Sequence, residues 1–118
     1  MSSSDFALRR SRSVMVVDSD PESRSRMSRI LTQAASSSPA RLRVLHARNA
    51  RDVMDVISRA YVPVDLVLSS RDHFQSEEGL LEERIHKVRP SLPVVCLPAT
   101  DHPSGIFRMV ASALQPAR

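Results

Sequence analysis

One cysteine, Cys96, two glycines, Gly79 and Gly105, one lysine, one tyrosine and no tryptophan are spread over 118 residues. A single thiol excludes an intramolecular disulfide and a cysteine-rich zinc site, and it fits a reducing compartment. Two glycines leave no room for a Gly-rich phosphate cradle, and an aromatic content of 3% removes the stacking platforms on which single-stranded nucleic acid is bound. No apolar run approaches the ~20 residues of a membrane span, and residues 1–12 have no signal-peptide apolar centre. Neither export nor membrane insertion is indicated, and the cytoplasm is the expected location. What is present, 42% hydrophobic and 25% charged residues, is the balance of one soluble domain. A domain of this size buries about two-thirds of the surface its unfolded chain exposes, so it needs no staples.

The apolar residues are organised in alternating periods. Residues 1–12, rich in Ser and Arg, read as a flexible basic arm preceding a single domain over 13–118. Val14–Val17 is a continuous apolar run, as expected of a strand covered on both faces, and it stops at Asp18-Ser19-Asp20. Asp20-Pro21-Glu22 is a helix start: a capping acid, a proline suited to the first turn, and an acid at the positive end of the dipole. Met27, Ile30, Leu31 and Ala34 then recur at helical spacing, with Glu22, Ser25, Arg26, Arg29 and Thr32 opposite. Further strands are predicted at 42–47, 64–68 and 93–97. Helices are predicted at 50–60 (capped by Asn49), at 77–89 (Leu81, Ile85 and Val88 inward), and after Pro103 with Ile106, Phe107, Val110 and Leu114. This βαβαβαβα order argues an α/β fold, a doubly wound parallel sheet with right-handed crossovers.

In such a sheet ligands bind outside the carboxyl ends of the strands. Those ends carry Asp18, Asp20, Asp72 and Asp101, an oxygen-rich set, although Asp20 is accounted for as a helix cap. His46 and His73 lie near the same edge without an assignable serine or cysteine nucleophile, and Cys96 inside an apolar strand reads as a small buried hydrophobe. No catalytic residue, metal site or cofactor is assigned, and the chain does not read as an enzyme. Charge is asymmetric: residues 1–51 hold ten Arg against four acids, a net +6, and residues 52–118 hold seven basic against nine acidic groups, a net −2.

The segments VMVVDSDPESR (Val14–Arg24), DLVLSS (Asp65–Ser70) and LPVVCLPA (Leu92–Ala99) resemble the receiver domain of bacterial two-component response regulators, over about residues 13–100. The resemblance implies a flavodoxin-like fold, here truncated or modified after the fourth strand. In that family an acidic pair after the first strand holds magnesium, and an aspartate ending the third strand is phosphorylated. A Ser or Thr ends the fourth strand, and a lysine follows the fifth. Asp18 matches the first acid, but Ser19 stands at the second, with Asp20 next to it. The phosphoacceptor position falls on Ser70 and the switch hydroxyl on Pro98. Lys87, in the third predicted helix, cannot match the family's lysine.

A serine hydroxyl does not replace an ionised carboxylate as acceptor, and proline removes the contact that reports phosphorylation. The resemblance therefore implies a stand-alone pseudo-receiver acting in signalling or a phosphorelay. It would bind a histidine kinase, phosphotransfer protein or other regulator through Arg24, Arg26 and Arg29 of the first helix. A residual acidic pocket of Asp18, Asp20 and Asp72 would remain, and an open fourth-strand edge would permit a homodimer. Two alternatives stand beside it. One is a receiver phosphorylated at a displaced Asp72 or Asp20. The other is a nucleic-acid-associated regulator using Arg9, Arg10, Arg12, Arg41, Arg43, Arg48 and Arg51, which no reader motif supports.

Overall fold

The computed structural model describes residues 11–35, 41–59, 61–70, 80–96 and 103–114. Within them β1 (Ser11–Val17), β2 (Arg41–Ala47), β3 (Leu66–Ser69) and β4 (Val94–Cys96) alternate with helices α1 (Pro21–Ala35), α2 (Ala50–Ile57), α3 (Leu80–Val88) and α4 (Pro103–Leu114). All neighbouring strands are parallel, in the order β2-β1-β3-β4. The predicted doubly wound α/β sheet is thus the observed architecture.

β1 organises both layers because successive side chains of a strand point to opposite faces. Val14 and Val16 enter one cluster with Leu31 of α1, Leu66 and Leu68 of β3, and Ile106 and Val110 of α4. Met15 and Val17 enter the other with Val53 and Ile57 of α2, Val67 of β3, and Leu81 and Ile85 of α3. Val14 through Val17 are all 0% exposed. The helix that follows β4 therefore packs on the α1 face, against Val14 and Val16, away from α2 and α3.

β1 begins earlier than the hydrophobic pattern indicates. Ser11 and Arg12 pair with Arg41 and Leu42, so the arm predicted over 1–12 gives its last two residues to the sheet. The physical reason is a polar latch. The Ser13 amide donates to Asp65 Oδ2 at 2.7 Å, and the Asp65 amide returns a bond to the Ser13 carbonyl at 2.8 Å. Arg12 stands 4.0 Å from Asp65 Oδ1. Residues 1–10 lie outside the described residues.

Helix ends follow their caps. Asp20 accepts from the Glu22 amide through Oδ1 (3.1 Å) and from Ser23 Oγ through Oδ2 (3.1 Å), and Asn49 Oδ1 accepts from the Asp52 amide at 3.0 Å. α2 stops at Ile57, three residues before the predicted end. The Ser58 amide bonds back to Met54 O at 3.0 Å, and Arg89 claims the carbonyls beyond. Its Nε donates to Ile57 O (3.2 Å) and its Nη2 to Arg59 O and Val62 O (both 2.9 Å). An arginine fork suits several carbonyls converging at a helix C-terminus, where the dipole also favours positive charge.

Two inward expectations change. Val88, at the last position of α3, is 45% exposed, because Ile85 is the last α3 residue inside the core cluster. Cys96 is half-buried rather than buried, as are Val94 and Val95, because among the described residues β4 is the last strand of the sheet and is flanked by a strand on one side. In α4, Ile106 and Val110 are buried and Leu114 partly so, while the side chain of Phe107 lies outside the described set. Among the described residues no helix is long and apolar enough to cross a membrane.

Four substitutions check this packing. Leu31→Ala should cost about 2–5 kcal/mol in urea unfolding, against a change within about 0.5 kcal/mol for Val88→Ala. Arg89→Ala should cost about 1.5–3 kcal/mol, with Arg89→Lys recovering little of it, because a point charge cannot reproduce a fork aimed at three carbonyls.

Candidate functional site

The direction of winding reverses at β1: the chain leaves through α1 to β2 on one side, and β3 pairs with β1 on the other. The crevice beyond the carboxyl ends of β1 and β3 is therefore the topological switch point, where such folds place their chemistry. Two ladder-extending bonds define its floor. The Asp18 amide donates to Ala47 O at 3.0 Å and the Ser70 amide to Val17 O at 2.8 Å, which bring the residue after β1 and the residue after β3 to the same edge.

Asp18 is half-buried, and its Oδ1 accepts the Asp20 amide at 3.0 Å, shaping the turn into α1. Asp20 is exposed, with each carboxylate oxygen engaged in capping α1. At the end of β3, Ser69 is fully buried and turns its hydroxyl onto the Ser70 carbonyl at 3.1 Å. Ser70 is half-buried at the crevice. Asp18, Asp20 and Ser70 thus lie at the carboxyl ends of β1 and β3, whereas Asp72, Asp101, His73 and Pro98 lie outside the described residues.

Of the three arginines assigned to an exposed partner face, Arg26 and Arg29 are exposed on α1. Arg24 is not part of that face. It is half-buried, its Nη1 donates to the Asp18 carbonyl at 2.7 Å, and its buried Nε has no hydrogen-bond partner among the described residues. Proximity explains the difference: Arg24 is one helical turn past the Asp20 cap, and its amide donates to Asp20 O at 3.0 Å, so its side chain begins directly beside the β1–α1 turn.

A second pair completes the edge. Arg48, just after β2, donates from both its amide (2.9 Å) and its Nε (3.0 Å) to Asp52 Oδ2. The spacing of four residues was legible in the sequence; its position beside Arg24 was not. The Arg48 side-chain and backbone hydrogen bonds hold the Asp52 carboxyl below the usual carboxylate range, with the charges of Arg48 and Arg24 adding to the effect. The same pair raises Arg48 above its ordinary value. Of the other basic residues considered for nucleic acid, Arg43 and Arg51 are exposed, while Arg12 and Arg48 face Asp65 and Asp52.

Solved structures with this arrangement come from bacterial signalling. A LuxR family DNA-binding response regulator from Silicibacter pomeroyi superposes with a TM-score of 0.72 at 20% identity, covering 87% of this chain and 90% of that one. The receiver domain of the hybrid histidine kinase CckA gives 0.70 at 17% identity, covering 87% and 99%. The chain has the receiver-domain fold. A transiently phosphorylated switch in bacterial signal transduction gives 0.66 at 23% identity, covering 89% and 95%. No family model matches the sequence, and no curated protein matches it.

The receiver fold implies a magnesium ion at this edge, and the described residues do not fit one. A hard cation needs several converging oxygens. Here the Asp18 carboxylate already receives an amide, Asp20 caps α1, Asp52 is paired with Arg48, and β3 ends in serine. Among the described residues no three His, Cys, Asp or Glu side chains form a metal-holding group.

The Asp52 pair gives a pH expectation. A carboxyl depressed on folding contributes stability that is present above the ordinary aspartate value and lost as pH falls through the depressed one. Carbon-detected NMR titration should place the Asp52 midpoint below the usual range, and Arg48→Gln should move it upward. An unmoved midpoint would count against the pairing.

Proposed function

We propose that this receiver-fold chain is a cytoplasmic signalling module that binds a partner protein without conventional aspartyl phosphorylation. The observation that carries the reading is the end of β3. The position that the sequence resemblance matches to the acceptor is Ser70, next to a Ser69 hydroxyl turned onto the backbone, and each described acid of the crevice is engaged locally. A neutral hydroxyl is a weaker acceptor for a phosphoryl group than an ionised carboxylate, whereas the packed sheet and helices that would present a docking face are in place among the described residues.

The docking face assigned is the exposed side of α1. An open depression there is lined by Asp20, Glu22, Ser25, Arg26 and Arg29, and the two arginines suit an acidic surface on a histidine kinase or phosphotransfer domain. Mixed charge of this kind steers association and sets specificity more than it adds affinity. Arg24 is withdrawn from the face because its guanidinium is committed to the Asp18 carbonyl. The β4 edge is the second surface, through which two copies would pair as an extended sheet.

Amide NMR spectra of the full chain with magnesium and beryllofluoride, a mimic of the phosphoryl group, test the reading. They should show no localised shifts at Asp18, Ser19 or Ser70. Binding of an acidic phosphotransfer domain should weaken at least tenfold in Arg26→Glu/Arg29→Glu, about 1.4 kcal/mol or more. Saturable beryllofluoride shifts at the crevice would restore phosphorylation as the mode of action, with Asp72 or Asp20 as the displaced acceptor.

A further inference from the structure

The α1 face belongs to one helical layer, and α2 and α3 form the other, packed on the opposite side of the sheet. An open depression lies where α3 meets α2, and its lining includes Arg51, Met54 and Asp55 of α2 and Arg84 of α3. Met54 is partly buried against the core cluster, and Val88, one turn beyond Arg84 on the same flank of α3, is 45% exposed. Arg51 and Arg84 are exposed, stand on different helices, and have no ion-pair partner among the described residues. The Arg89 fork to the Ile57, Arg59 and Val62 carbonyls ties the end of α3 to the end of α2, so the two walls of the groove are held in place before any ligand arrives.

We propose that this α2–α3 groove is a second docking site, whose occupant is an acidic amphipathic helix of a partner protein. Charge and shape choose the occupant. Two guanidiniums, one on each wall and unpaired among the described residues, favour carboxylates on both flanks of the incoming segment. A helix laid in a groove offers such flanks around an apolar seam. Met54 and Val88 are the apolar surface that the seam covers, and a methionine adapts to the side chains it meets. Asp55 lies in the same depression and opposes a uniformly anionic ligand, which disfavours a nucleic-acid backbone. A second copy is disfavoured by the chain's net charge of +4. Exposed ion pairs are individually weak, so the groove selects its partner by charge pattern and holds it transiently. The inference takes from the function proposed above only that the occupant is a protein. Because α1 and this groove lie on opposite layers, one copy can hold two partners at once.

The test is an amide NMR titration of the full-length, isotope-labelled chain with two synthetic helical peptides of about five turns each. One carries a leucine seam flanked by glutamates, and in the other every glutamate is replaced by glutamine. The glutamate peptide should give saturable shifts at Arg51, Met54, Asp55, Arg84 and Val88, and the glutamine peptide should bind about tenfold more weakly. Arg51→Glu/Arg84→Glu should weaken the glutamate peptide by about tenfold or more, and Asp55→Asn should tighten it about threefold. Arg26→Glu/Arg29→Glu should leave the groove shifts in place, which separates this site from the α1 face. Shifts confined to α1, equal affinity for the two peptides, or no saturable shift in the groove overturns the proposal. So do groove shifts that grow with the chain's own concentration in the absence of peptide, which would assign the groove to a second copy. Tighter binding of a single-stranded oligonucleotide at the same residues also overturns it. If the double variant does not fold, Asp55→Asn decides: unchanged or weaker affinity for the glutamate peptide overturns the proposal.

Discussion

The complete burial of β1 between two helical layers is the constraint on which the rest of the molecule depends. Four consecutive apolar residues, Val14 to Val17, supply both cores, and ladders to β2 and β3 satisfy the backbone on both sides. A strand without a solvent face has no tolerance for a one-residue slip, because each slip would exchange Met15 and Val17 with Val14 and Val16 between differently shaped clusters. The register so fixed delivers Asp18 to the crevice and leaves the neighbouring turn to open α1.

From that strand end the local chemistry follows as a series of commitments. Asp18 receives the Asp20 amide, Asp20 caps α1, and Arg24, one turn into the helix, returns to the Asp18 carbonyl. These contacts close a short loop of chain on itself, so the acids that would face an ion are used to hold the turn. On the neighbouring strand Arg48 and Asp52 close a comparable loop at the start of α2.

The same architecture separates two surfaces. The α1 face carries exposed arginines over a seam of buried Leu31 and partly buried Met27 and Ile30, and α4 packs on that seam from the other side. β4, only half-buried, ends the sheet among the described residues. α4 follows β4 yet lies beside α1, so the last crossover moves to the opposite layer from α2 and α3 and completes the α1 core.

The order of strands and helices, the buried strand, both N-caps and the serine at the end of β3 were legible from sequence, because each depends on neighbours within a few residues. Apolar runs, Asp-Pro-Glu and Asn-x-x-Asp patterns report local backbone preference directly. The early start of β1 was not legible, since Ser11 and Arg12 join the sheet through a latch with Asp65, far along the chain. Nor was the short α2, whose terminal carbonyls are taken by Arg89 some thirty residues away, or the half-exposure of Cys96, which depends on where β4 falls in the sheet order. Arg24 is the clearest case. Sequence determined that a cation lies one turn into α1; only the tertiary structure decided that it turns back onto the Asp18 carbonyl, because a long flexible side chain takes its direction from the groups that satisfy it.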